Sequence, residues 1–183
     1  MKQKELLTGQ SQEIWDLLSE YSKALYILGQ YDAGTLTEPK GAPAKFVLKY
    51  EDCVEVIKDV KLGLIGKKAA GSLFGSERSR MLDGIVKNLY QTFNKKELYN
   101  TVEKKAAHLL YLIIKDHPFS DGNKRLGAFL FIYFLHKNNN LHKENKERKI
   151  NNNTLVALAL LIAESDPKEK DVMVKIILNL LAD

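Results

Sequence analysis

From Gly122 to Lys137 the chain reads GNKRLGAFLFIYFLHK, and after Arg125 almost every helical face is apolar, with Leu126, Phe129, Leu130, Phe131, Ile132, Tyr133 and Phe134 in succession. A helix without a polar stripe has to be surrounded by other elements. The rest of the sequence offers helices for that purpose. Val102, Ala106, Leu109, Leu110 and Ile113 recur at helical spacing up to about Asp116, and Met173, Ile176, Ile177, Leu180 and Leu181 do so near the end of the chain. The expected fold is therefore all-α, a bundle with the helix beginning near Gly122 at its centre.

Towards the N-terminus, Ile14, Leu17, Leu18, Tyr21, Leu25 and Leu28 predict an amphipathic helix from about Ser11 to Gly29. YDAGTLTEPKGAPAK, Tyr31 to Lys45, carries two glycines and two prolines and reads as a linker. The expected organisation is an N-terminal arm and linker over 1–45 and a main body over 46–183. Within that body KFVLKY suggests a short strand, and YEDCVEVIKDVKLG a helix with acidic residues in its first turn. GKKAAGSLFGSE follows as a loop, and GLIGKK lacks the spacing of a phosphate-binding P-loop. A short helix runs from Arg80 to Leu89, and alternation in YQTFNKKELY, Tyr90 to Tyr99, predicts an extended or hairpin segment. After two Asn-rich turns, Asp166, Pro167 and Glu169 form a capping-box pattern between two closing helices.

Several function classes are disfavoured by composition. One cysteine, Cys53, excludes a disulfide framework and a multi-cysteine zinc site, and fits a reducing compartment. No apolar run reaches the ~18 residues of a membrane span, and MKQKELLTGQSQ lacks the apolar segment of a secretory signal, so the expected site of action is the cytoplasm. The formal charge of +5 lies in scattered lysines and in HKENKERK, which also holds two glutamates. With no recognition-helix or aromatic-interleaved basic motif, sequence-specific nucleic-acid binding is not expected. His108, His136 and His142 do not have metal-ligand spacing.

What remains is HPFSDGNKR, His117 to Arg125, the loop into the apolar helix. A turn there needs Pro and Gly, but has no need of a histidine at its start or of Asn, Lys and Arg where the helix begins. Free backbone N–H groups and the positive end of the helix dipole make that point an anion site. Gly122 permits close backbone approach, and Asn123, Lys124 and Arg125 add donors suited to phosphate oxygens. Asp121 is a hard ligand suited to Mg²⁺ beside phosphates, the His117 imidazole suits a general base, and Phe119 would point inward and pin the loop. The plainer alternative makes His117 and Asp121 helix caps. It leaves two adjacent cations opposing the dipole at some tenths of a kcal/mol each.

These nine residues resemble the H-P-F-x-[DE]-G-N-[GK]-R signature of the Fic/Doc family, whose members have a helical core with the motif loop before a central helix. LFGSERSRMLDGIVKNLYQTF, ELYNTVEKKAAHLLYLIIKDHPFSDGNKR and LIAESDPKEKDVMVKIILNLL resemble the C-terminal domain of RhuM-type virulence proteins, a branch of it. The resemblance implies transfer of AMP from ATP, with Mg²⁺, onto a Ser, Thr or Tyr hydroxyl of a target protein. His117 would be the general base, Asp121 the Mg²⁺ ligand, Gly122 and Asn123 part of the anion hole, and Arg125 a phosphate clamp. Tyr90, Gln91, Thr92 and Phe93 fall where the family has a flap that aligns the target peptide by strand addition.

Lys124 departs from the adenylylating pattern, which has glycine there. In that respect the chain resembles the Doc branch, whose activity is phosphoryl transfer to elongation factor Tu. A nucleotide-binding but inert protein, or a helical interaction module acting through Trp15 and its helix, is a further reading. Many adenylylating members are held off by a helix reading [ST]-x-x-x-E-[GN]. SDPKEK, Ser165 to Lys170, matches its first five positions and fails the sixth, and Glu169 is already explained as a cap. Control by a separate antitoxin is the alternative.

Overall fold

The structure is a computed structural model that describes residues 9–182. The chain divides into two compact units, the first ending at Thr37 and the second beginning at Glu38. The first holds α1 (Gly9–Glu20) and α2 (Ser22–Asp32). The single helix expected from about Ser11 to Gly29 is thus broken at Tyr21 and runs on to Asp32. The break is slight, because the Tyr21 N–H donates to the Leu17 carbonyl and the Leu25 N–H to the Tyr21 carbonyl, both at 3.0 Å. Tyr21 itself sits at φ −99°, ψ 9°, outside the helical minimum.

The second unit is built from α3 (Tyr50–Gly66), α4 (Met81–Asn88), a hairpin of β1 (Thr92–Phe93) and β2 (Lys96–Glu97), α5 (Val102–Asp116), α6 (Asn123–Lys137), α7 (Asn152–Glu164), a 3₁₀ turn at Pro167–Glu169 and α8 (Lys170–Leu181). Helices therefore dominate, and the expected all-α fold with one small hairpin is what the chain forms. In the hairpin Thr92 pairs with Glu97 and Phe93 with Lys96. The two turn residues, Asn94 at φ 48° and Lys95 at φ 63°, are both left-handed, as the turn matching the strand twist requires.

Burial shows why the helices stack as they do. α5 packs against α4, α6, α7 and α8, and it is more fully enclosed than α6, which sequence reading had placed at the centre. On α6, Phe129 is 46% exposed and Ile132 and Tyr133 are half-buried. α5 instead buries even Glu103, Lys105 and His108. These polar residues made α5 look amphipathic in the sequence, but each is satisfied inside. Glu103 accepts from the Ala42 N–H at 3.0 Å and from Asn140 at 2.6 Å. Lys105 pairs with Glu97 at 2.7 Å and also donates to the Tyr99 carbonyl, so the helix holds the hairpin by a buried cation.

KFVLKY is not a strand. Its backbone donors go to side chains, Lys45 and Phe46 N–H to the Asn138 Oδ1 at 2.9 Å and Leu48 N–H to the Tyr90 hydroxyl at 2.7 Å. The segment straps α6 to the hairpin and has no strand to pair with.

Candidate functional site

The loop between α5 and α6 is held from behind by the segment before α4. Gly75 N–H donates to the Asp121 carbonyl at 3.0 Å, Ser120 N–H to the Ser76 carbonyl at 2.9 Å and Arg78 N–H to the Pro118 carbonyl at 2.7 Å. Across the loop, the Asn123 side chain accepts from the Phe119 N–H at 2.9 Å and donates to the Phe119 carbonyl at 2.8 Å. Phe119 is buried. Both halves of the Asn123 amide are therefore spent on closing the loop. Sequence reading gave that side chain a phosphate-binding part, but its amide is committed to the loop through Phe119, and the backbone N–H is what the residue presents at the helix start.

His117 stands at the C-terminal end of α5 in the left-handed region, φ 51° and ψ 56°. A non-glycine residue there is strained. Its ring is exposed, and Nδ1 lies 2.9 Å from the Lys115 carbonyl. A carbonyl oxygen only accepts, so Nδ1 carries the proton and Nε2 keeps its lone pair. In that tautomer Nε2 is the basic nitrogen left without a partner. Lys115 itself is drawn back towards α7, where its ammonium donates to the carbonyls of Ala163 and Ser165.

At the start of α6 the N-cap is Gly122, at φ 92°, with no side-chain cap. The N–H groups of its first turn thus have no intrahelical acceptor. A Cβ on Gly122 would meet the Phe74 ring at 2.4 Å, so both backbone angle and space demand glycine. Phe74 is buried and carries the Arg125 guanidinium 4.5 Å above its ring centre. Arg125 also donates to the Ala69 carbonyl at 2.8 Å and lies 3.3 Å from the Asp121 carboxylate. Asp121 and Arg125 are both half exposed, so this contact is a weak one. Lys124 is exposed, with no hydrogen bond or ion pair among the described residues. Asp121, Gly122, Lys124 and Arg125 are thus gathered at one helix N-terminus.

A single exposed carboxylate with room for water and phosphate oxygens fits the coordination habits of Mg²⁺. Among the described residues no group of three or more His, Cys, Asp or Glu side chains could hold a metal by itself. From Arg125 an open groove of about 750 Å³ runs between α3, α6 and α7, walled by Val60, Leu64, Phe129, Ile132 and Leu155.

The hairpin residues divide by role. Gln91, Thr92 and Phe93 are exposed, with Phe93 at the rim of the turn. Tyr90 is an anchor, because its hydroxyl accepts from Leu48 and its ring lies over Lys105 at 5.3 Å. Burial pushes its phenol up to about 12. Cys53 is fully buried and its thiol is likewise pushed up to about 12, which leaves it unreactive. The Glu169 carboxylate accepts from the Asp166 N–H at 3.1 Å, so it completes the capping box and makes no contact with Arg125.

Sequence reading missed the backing of the site: Phe74, Gly75 and Ser76, together with Glu77, which accepts from Leu82 N–H and Tyr50 hydroxyl. The visible signal was a lone Phe between glycines in GSLFGSE. No curated protein and no solved structure matches the chain. Residues 50–135 match the model of the Fic/DOC family, and that span, from the first residue of α3 into α6, contains His117 to Arg125 and supports the family for the segment that builds the site.

Proposed function

We propose that the protein is a nucleotide-dependent transferase that moves AMP from ATP onto a Ser, Thr or Tyr hydroxyl of a target protein in the cytoplasm. Group transfer from a nucleotide is what the Fic/DOC match suggests in general. The observation that carries the finer reading is the pairing of a fixed base with an open anion site: Nδ1 of His117 is committed to the Lys115 carbonyl, and the next helix begins at an uncapped glycine. In the reaction Nε2 takes the proton of the target hydroxyl as its oxygen bonds to the α-phosphorus. The bond from that phosphorus to the bridging oxygen breaks, and pyrophosphate leaves. First-turn N–H groups of α6 and the Arg125 guanidinium hold phosphate oxygens. Mg²⁺, held by Asp121 and the phosphates, would neutralise charge on the leaving group. The exposed edge of the hairpin at Thr92 and Phe93 aligns the target peptide as an added strand.

The exposed, unpartnered state of Lys124 favours AMP transfer over Doc-like phosphoryl transfer, since no contact holds its ammonium in the space of the outer phosphates. An antitoxin-like protein remains the natural regulator to seek, because Glu169 is occupied in its own cap. A target and an inhibitor would each meet the loop face of the second unit. The test is thermal unfolding with ATP and Mg²⁺. Stabilisation of wild type, and its loss in Arg125→Ala, is expected; no shift in wild type would sink the nucleotide site.

A further inference from the structure

We infer that α1 and α2 form a self-association rod that pairs with the same rod of a second copy of this chain. Ile14, Leu18, Tyr21, Leu25 and Leu28 are separated by 4, 3, 4 and 3 residues, the alternation of a coiled-coil seam. All five, with Trp15 and Leu17 beside them, are 43–59% exposed. The Tyr21 N–H to Leu17 and Leu25 N–H to Tyr21 carbonyl bonds keep the i to i−4 helical pattern across the junction of the two helices. Helices of 12 and 11 residues are marginal on their own and take their stability from packing an apolar face. The rod therefore calls for another helix along this stripe.

The flanks say which helix. With the seam at the a and d positions, Glu13 and Glu20 fall at c and Asp16 and Lys23 at f, on the outer side, and Asp32, the last residue of α2, falls at the a position that ends the apolar stripe. Positions e and g between Trp15 and Tyr31 hold Trp15, Leu17, Ser22, Ala24, Gly29 and Tyr31, none of them charged. Like charges facing each other across e and g repel an identical helix, and here those positions carry none. Seven large side chains on each of two copies, each about half exposed, supply an area on the order of the 1,000 Å² that a specific interface needs. A second copy brings the same surface, which is what a two-fold interface requires. In a parallel pair Tyr21, the middle residue of the seam, meets its own counterpart.

The full chain should sediment as a dimer at micromolar concentration. Leu18→Glu with Leu25→Glu should convert it to a monomer with the unfolding of the second unit unchanged, whereas Val156→Glu with Leu160→Glu, on the exposed face of α7, should leave the dimer in place. A covalent readout guards against partial unfolding of the arm. Cys53 is buried, so Tyr21→Cys supplies the one accessible thiol, and mild oxidation should link two chains through it; Glu20→Cys, one step off the seam, should link far less. A monomeric wild type, which is the result if the arm packs on its own body or serves a different protein, overturns the inference. A dimer that survives the double glutamate variant does so too.

Discussion

His108 and His117 belong to the same stretch of chain and make the same first hydrogen bond. Each ring places Nδ1 2.9 Å from a backbone carbonyl, that of Lys104 for His108 and that of Lys115 for His117. Each is therefore held with its proton on Nδ1. Their surroundings differ in every other way. His108 is buried within α5, stacked on Tyr99 with ring centres 3.7 Å apart. Burial drives its pKa down to about 4. His117 lies one residue past the helix, exposed, on a strained backbone beside the open end of α6. A hydrogen bond sets the tautomer in both, but only exposure next to an anion site turns a basic nitrogen into a usable base.

The sharpest way to break this comparison is at His117. His117→Ala should lower transfer by about 10²–10⁴-fold, measured with Mg²⁺-ATP and a cell extract, while nucleotide binding stays near wild type, because the base acts on the incoming hydroxyl. Normal transfer in that variant would end the assignment. His117→Gly adds a second readout. Glycine relieves the left-handed strain at a helix C-terminus, so the variant should be as inactive as the alanine form yet about 1 kcal/mol more stable than wild type. A loss of stability on going to glycine would show that the ring is held there for packing.

At His108 the expected effect is on stability and follows pH. Its folded pKa of about 4 lies below the ordinary histidine value of 6.5, so the unfolded chain binds the proton more readily than the folded one. The contribution of the neutral, buried ring is complete above pH 6.5 and is lost as the pH falls from there towards 4, up to about 3 kcal/mol. Urea unfolding at pH 7.5 and 4.5 measures it. His108→Phe keeps an aromatic ring against Tyr99 and removes the titration, so its stability should fall less over that interval. An equal fall in both proteins would assign the acid sensitivity to other groups.

The two histidines also mark how far the sequence could be read. The loop from His117 to Arg125 was legible because its residue types exceed what a turn needs. The hairpin was legible from alternation in Tyr90 to Tyr99. The enclosure of α5 was not, since Glu103, Lys105 and His108 look like a solvent face until Ala42, Asn140, Glu97 and Tyr99 come back from distant parts of the chain to satisfy or cover them. The two roles of Asn123 were equally hidden. An amide at a helix start reads as a ligand donor, and only the folded loop shows both of its ends taken by Phe119. Long-range polar satisfaction leaves no local periodicity, whereas apolar spacing and turn chemistry do.

The smallest effect expected is at Lys124, and it decides what the Nε2 of His117 faces. If the ammonium filled the space for the outer phosphates, ATP would have to enter reversed, with its γ-phosphorus nearest the attacking oxygen, and the products would be a phosphoprotein and ADP. The Lys124 side chain is exposed and unpartnered in this structure, and its flexible stem lets the charge stay in solvent. The ordinary pose then survives. Lys124→Gly should therefore preserve AMP transfer or raise it slightly, in contrast to the loss at His117. Intact mass spectrometry of targets treated with wild type and with the glycine variant separates the outcomes: an AMP-sized increment from both supports the proposed reaction, a phosphate-sized increment from wild type replaces it with the Doc-like one, and no increment from either leaves His117 as an exposed histidine with the right tautomer and no reaction to serve.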